Sequence, residues 1–211
     1  MLNKYDCFIF DLDGVLVDTA KYHFLAWKRL AEEMGIPFTE EDNERLKGVS
    51  RMASLDIILE LGNKTLPEEE KLALATKKNA WYVAYIMKMD ASEILPGTLE
   101  LLDKLKQAGK KIVLGSASKN APLILERTQM AAYFDAVIDG TSVSKAKPDP
   151  EVFTKGAESV SVPYEKCIVF EDSVAGIQAA KAAGMLAIGV GTADNLPEAD
   201  QIVSGLDAFV L

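Results

Sequence analysis

Tyr5-Asp6-Cys7-Phe8-Ile9-Phe10-Asp11-Leu12-Asp13-Gly14-Val15-Leu16-Val17-Asp18-Thr19 decides how the rest of the chain is read. Its first half is a short apolar run rich in aromatic and β-branched residues, the pattern of a buried strand. The run then breaks into two aspartates one residue apart, followed by glycine. A carboxylate just past a buried strand stands at the strand's carboxyl end, where open α/β sheets place their ligands. Two carboxylates so close repel each other unless they share a cation or one holds a proton. Gly14 permits the sharp turn that aims both at one place. The stretch predicts a phosphoryl-transfer site built on Mg²⁺.

Outward from Thr19 the period changes. Lys21 to Met34 reads as an amphipathic helix closed by Gly35. Thr39-Glu40-Glu41-Asp42 has capping-box spacing and starts a short helix ending near Gly48. Ser50 caps a third helix running to Leu61, and Pro67 with three following glutamates opens a fourth that reaches Met89. This all-helical stretch is too long for a connection and reads as an inserted domain. From Pro96-Gly97 onward strands alternate with helices. The strands are Lys111–Gly115, Ala136–Asp139, Cys167–Phe170 and Leu186–Val190, with Gln201–Val203 as a short edge. Asn120 caps the helix after the second strand, and Asp149-Pro150 and Ser173 open later ones. Such alternation gives an α/β fold with a doubly wound, mostly parallel sheet covered on both faces. The domain boundaries follow: residues 1–16 and 92–211 form the α/β core, and residues 17–91 the inserted helical cap.

The 211 residues are 49% apolar and carry 23 bases against 32 acids, a net charge of -9. That balance argues against binding nucleic acid or an anionic membrane surface. One histidine and two cysteines leave little for a zinc site, and Cys7 and Cys167 read as small core residues, not a disulfide. No leader-like or membrane-length apolar run is found, so a cytoplasmic location is expected; a monomer acting on a small molecule is the separate expectation. Gly189-Val190-Gly191 lacks the rest of a dinucleotide fingerprint, and Gly115-Ser116-Ala117-Ser118 is not a nucleophile elbow.

Three strands finish with unusual chemistry at equivalent places: Asp11, Ser116 and Glu171-Asp172. Lys147 stands in a proline-stiffened loop nearby in the chain order. In a parallel sheet those ends converge at one edge. Hard oxygen ligands of this kind suit Mg²⁺. Singly, each residue reads as well as a cap, a turn or a solvated base; three acids at strand ends do not.

With these residues in view, Asp11 to Thr19 resembles the first motif of the haloacid dehalogenase superfamily. Ser116 resembles its second motif, Lys147 its third and Glu171-Asp172 its fourth, all in order along nearly the whole chain. The resemblance implies a HAD-like Rossmannoid core beneath a mobile helical cap. It also implies that Asp11 attacks phosphorus, and that Asp13 serves as general acid/base and lends its backbone carbonyl to the metal. Mg²⁺ would be held by Asp11, Asp13, Glu171 and Asp172, while Ser116 and Lys147 would contact the transferring group. Within the superfamily, the cap stretch Leu46, Gly48, Val49, Ser50 and Arg51 is similar to the β-phosphoglucomutase group. So are Thr19, His23, Trp27 and Lys78, and the core loop Ser116, Ala117, Ser118, Lys119 and Asn120. Those residues would bind substrate, with Arg51 clamping the non-reacting phosphate, and β-glucose 1,6-bisphosphate would be intermediate and activator. A phosphatase of the same fold acting on sugar phosphates or phosphoglycolate is the nearest alternative. A non-catalytic sugar-phosphate-binding regulator is a third, against which the intact Asp11 and Asp13 argue.

Overall fold

A computed structural model describes the whole chain, Met1–Leu211. Strand β1 (Cys7–Phe10) is buried along its length. Its side chains divide by the two-residue strand period, Cys7 and Ile9 to one core and Phe8 and Phe10 to the other. Four helices follow: α1 (Ala20–Glu33), α2 (Glu40–Glu44), α3 (Arg51–Leu61) and α4 (Glu68–Ile86). Their starts obey the expected chemistry. Thr39 and Asp42 form a complete capping box, Ser50 Oγ accepts from Ala53 N–H, and Pro67 precedes three glutamates at the N-terminus of α4.

Two ends differ from the sequence reading. Helix α2 stops at Glu44 and turns through Gly48, and α4 stops at Ile86, short of Met89. Met89 is drawn off the helix because it is buried in the sheet core, while its carbonyl accepts from Arg127 Nε at 3.2 Å. Tertiary burial outweighs helix continuation there.

The α/β part contains α5 (Thr98–Gln107), β2 (Lys111–Gly115), α6 (Ala121–Arg127), β3 (Ala136–Ile138), α7 (Glu151–Ser159), β4 (Cys167–Glu171), α8 (Val174–Ala182), β5 (Leu186–Val190) and β6 (Gln201–Val203). All strand pairs are parallel, in the order β3-β2-β1-β4-β5-β6. The order reverses at β1, so the crevice lies at the carboxyl ends of β1 and β4. Register places Phe10 beside both Leu114 and Phe170, and Asp11 and Glu171 therefore leave the sheet as neighbours. Helices α5 and α6 supply residues to one core, α7 and α8 to the other. Cys7 and Cys167 face each other in register as free, buried thiols. No helix is long and apolar enough to cross a membrane.

The helices between β1 and α5 enclose a third core of their own, including Trp27, Leu30, Phe38, Leu55 and Ile58. The segments entering and leaving them pair antiparallel with each other: Asp18 N–H donates to Glu93 O and Leu95 N–H to Leu16 O, both at 2.9 Å. Leu55 is wholly buried in that third core. Leu55→Ala should lower stability by about 3 kcal/mol in urea unfolding, since transfer and cavity costs add; a loss below about 1 kcal/mol would contradict a close-packed helical core.

Candidate active site

Lys147 is 4% exposed, yet its ammonium reaches three strand ends. It donates to Asp11 Oδ1 at 2.8 Å, to Gly115 O at 3.2 Å and to Glu171 Oε1 at 2.5 Å. Burial alone would lower its pKa, but Asp11 and Glu171 overcome this and hold it above the usual lysine range. Glu171 is fully buried and has both oxygens engaged, Oε1 by Lys147 and Oε2 by the N–H and hydroxyl of Ser173. Asp11 keeps Oδ2 free of protein donors. Burial raises its pKa to about 7; Lys147 opposes this, while Glu171 and Asp13 add to it.

One oxygen each from Asp11, Glu171 and Asp172 lies within 4.8 Å of the others. Burial and then the charges of Glu171 and Asp11 raise Asp172 well above the usual carboxylate range. Three clustered carboxylate oxygens balanced by so few bases form a donor set that fits a hard divalent cation. The Asp13 side chain is not part of this cluster. Gly14 (φ 81°) turns the chain here, and a Cβ on it would lie 2.9 Å from Asp172 Cγ, so only glycine lets the two loops meet. Asp13 Oδ1 accepts from the Thr19 hydroxyl, lies 3.5 Å from Tyr82 OH and 3.8 Å from His23 Nε2. Burial raises its pKa, against the Thr19 hydrogen bond.

A 360 Å³ cavity joins these groups to the helical part. Its lining includes Asp11, Asp13, His23, Trp27, Leu46, Gly48, Val49, Ser50, Arg51, Lys78, Ser116 to Asn120, Lys147 and Asp172. Thr19 and Glu171 fall outside it. Thr19, expected to touch substrate, is instead fully buried and spends its hydroxyl on Asp13. Asn120 also differs from expectation. It occupies the N-cap of α6 without a side-chain cap bond, and its amide donates across the cavity edge to Asn79 Oδ1 at 3.0 Å. The 116–120 loop is closed on itself, Ser118 N–H donating to Ser116 Oγ and Asn120 N–H to Ser118 Oγ. The N–H groups of Ala117 and Lys119 therefore remain for an anion, fewer than the helix start promised.

From the helical part, α3 and α4 bring to the cavity two bases without carboxylate ion pairs, Arg51 and Lys78. Lys78 is 2% exposed, bonds His23 Nδ1 at 3.0 Å and lies over the rings of Trp27 (4.3 Å) and Tyr82 (4.9 Å). With Lys78 donating to Nδ1, the His23 proton sits on Nε2, facing Asp13. Burial, helped by Arg51, lowers Lys78 to about 7, and burial with Lys78 and Arg51 holds His23 well below its usual value.

The family profile for haloacid dehalogenase-like hydrolases matches residues 5–184. The chain belongs to the haloacid dehalogenase-like hydrolase family. It is 46% identical over 197 residues to β-phosphoglucomutase of Bacillus subtilis, covering 92% of this chain and 87% of that protein. It is 36% identical to a phosphorylated carbohydrates phosphatase of Thermotoga maritima, over 84% of this chain and 81% of that one. The crystal structure of β-phosphoglucomutase from Clostridium difficile superposes with a TM-score of 0.94 at 43% identity, covering 98% of this chain and 94% of the other.

This haloacid dehalogenase-like chain also brings in residues that sequence reading passed over. Asn43, Ser54 and Asn79 line the cavity, as does Lys47 inside the cap stretch already singled out, and Tyr82 stacks on His23 with ring centres 4.0 Å apart. Tyr82 lies four residues beyond Lys78 and Ser54 three beyond Arg51, so helical spacing from two singled-out bases pointed at both; Asn43 carried no such signal. The depressed Lys78 has a consequence for stability. Its folded pKa lies below the unfolded value of about 10.4, so its penalty is full below pH 7 and vanishes as pH rises past the unfolded pKa. Lys78→Met should therefore stabilise by about 2 kcal/mol at pH 7, with the gain shrinking toward pH 10 in urea titrations. A gain that grows with pH would contradict this.

Proposed function

We propose that the chain is a Mg²⁺-dependent sugar-phosphate mutase interconverting β-D-glucose 1-phosphate and glucose 6-phosphate through β-glucose 1,6-bisphosphate. The observation that carries this reading is a pair of bases from the helical part, Arg51 and Lys78, lining the same cavity as Asp11 and Lys147. A bisphosphorylated sugar has an anion at each end, and this cavity offers a cationic reception at each end. Residues 17–91 act in this reading as a cap over the core.

Asp11 Oδ2, the oxygen left free by Lys147, attacks phosphorus while the bond to the sugar oxygen breaks, giving an aspartyl-phosphate. Asp13 gives a proton to the departing sugar oxygen, its burial favouring the protonated carboxyl. In the opposite half-reaction Asp13 takes the proton from the attacking sugar hydroxyl, which displaces Asp11 from phosphorus. Thr19, and His23 through Nε2, fix Asp13 where both transfers can occur. Lys147 and the N–H groups of Ala117 and Lys119 face charge on the phosphoryl oxygens. Asp11, Asp172 and the Asp13 carbonyl would hold the Mg²⁺, with Glu171, the third member of the oxygen cluster, beside it and holding Lys147. The ion supplies charge neutralisation at the transferring group. Arg51 grips the phosphate that does not react, and closure of the cap excludes water so that a sugar hydroxyl is the acceptor.

The T. maritima phosphatase at 36% identity keeps a second reading in view, in which water takes the phosphoryl group. One assay separates them: β-glucose 1-phosphate with Mg²⁺ and a trace of the bisphosphate. Glucose 6-phosphate should form faster than inorganic phosphate; the reverse order would favour the phosphatase. Arg51→Ala should cut mutase kcat/KM by roughly 100-fold while changing cleavage of a small acyl phosphate by less than about fivefold. Equal losses would remove Arg51 from the clamp.

A further inference from the structure

Between α2 and α3 the chain dips onto the loop after β4. The Lys47 ammonium lies 3.0 Å from Glu44 Oε2 and 3.7 Å from Asp172 Oδ2. Gly48 beside it (φ 71°) comes so close that a Cβ there would stand 2.9 Å from Ser173 Cβ. Ser173 in turn holds Glu171 and caps α8. The helical part thus touches the sheet part at Asp172, a member of the acid cluster, and at Ser173 next to it.

Lys47 and Asp172 also stand at a partition. They line the 360 Å³ cavity and, together with Ala20, a second one of 400 Å³ on the other side, bordered by Asp18, Glu44 and Asp207. The ion pair is the wall between a substrate space and an acidic vestibule. Lys47 is the one lysine or arginine paired with Asp172, at 3.7 Å.

We propose that Lys47 is a displaceable positive charge that docks the cap on Asp172, and that a divalent ion must compete with it for that carboxylate. The inference rests on Asp172 being a cation ligand. Two positive charges sharing one carboxylate in a partly dry site repel. Coupling is reciprocal, so a docked Lys47 weakens cation binding and a bound cation undocks the cap by the same factor. Metal alone therefore loosens the cap and leaves the cavity open to substrate. An entering phosphate brings the negative charge that lets metal and Lys47 stay together, and the cap redocks. Lys47 acts here as a positioning residue.

The test uses MgCl₂ alone, without sugar, on the full chain. Calorimetric Mg²⁺ affinity is measured for wild type, Lys47→Met and Lys47→Arg, with the radius of gyration from small-angle scattering before and after Mg²⁺. Lys47→Met should bind Mg²⁺ roughly fivefold more tightly at low salt, and Lys47→Arg within about twofold of wild type. Wild type should expand on adding Mg²⁺, whereas Lys47→Met should start expanded and stay so. Unchanged or weaker affinity in Lys47→Met, or a wild type whose size ignores Mg²⁺, overturns the proposal. Wild type giving no Mg²⁺ binding at all would instead overturn the reading of Asp172 as a ligand. Lys47→Gln replaces Lys47→Met if that variant fails to fold.

Discussion

One buried ammonium holds this molecule's chemistry together. Lys147 joins the ends of β1, β2 and β4 through Asp11, the Gly115 carbonyl and Glu171. Burying three such charges costs several kcal/mol per ion unless each finds partners. Here Lys147 has three acceptors and Glu171 has three donors, so the desolvated charges are held in one arrangement. The arrangement requires adjacent parallel strands with their carboxyl ends level, which the register of β1 with β2 and β4 supplies.

The same constraint leaves a charge imbalance that the rest of the structure answers. Lys147 neutralises part of the acid at the strand ends but leaves Asp172 surrounded by anions on the core side. Two answers are visible: an oxygen cluster fit for a divalent cation, and Lys47 reaching down from the helical part. Asp13 is kept apart from this competition by Thr19 and by the His23–Lys78 pair, so two aspartates one residue apart occupy different environments. Neighbouring carboxylates with separated surroundings are what a nucleophile and a proton carrier need.

Much of this was legible in the sequence, for identifiable reasons. Strands β1, β2 and β5 and the caps at Thr39, Ser50 and Ser173 are governed by local rules, and those rules were obeyed. The acids at strand ends followed from topology alone, because a parallel sheet aligns them. What could not be read was decided between segments distant in sequence. Asn120 abandons its own helix for Asn79, Thr19 turns from the cavity to Asp13, and Met89 leaves α4 for the sheet core. Lys47 carried no local mark, since a base beside a glycine in a loop is ordinarily solvated. Its meaning depends on Asp172, 125 positions away in the numbering.

In the proposed reaction Asp11 is the phosphoryl carrier of a site assembled by Lys147. Borohydride reduction after a brief mixing with Mg²⁺ and β-glucose 1,6-bisphosphate converts an aspartyl-phosphate to homoserine, and peptide mass spectrometry locates the change. Homoserine should appear at position 11 and nowhere else. An unmodified Asp11 under turnover, or homoserine at Asp13 or Asp172 in its place, would contradict it.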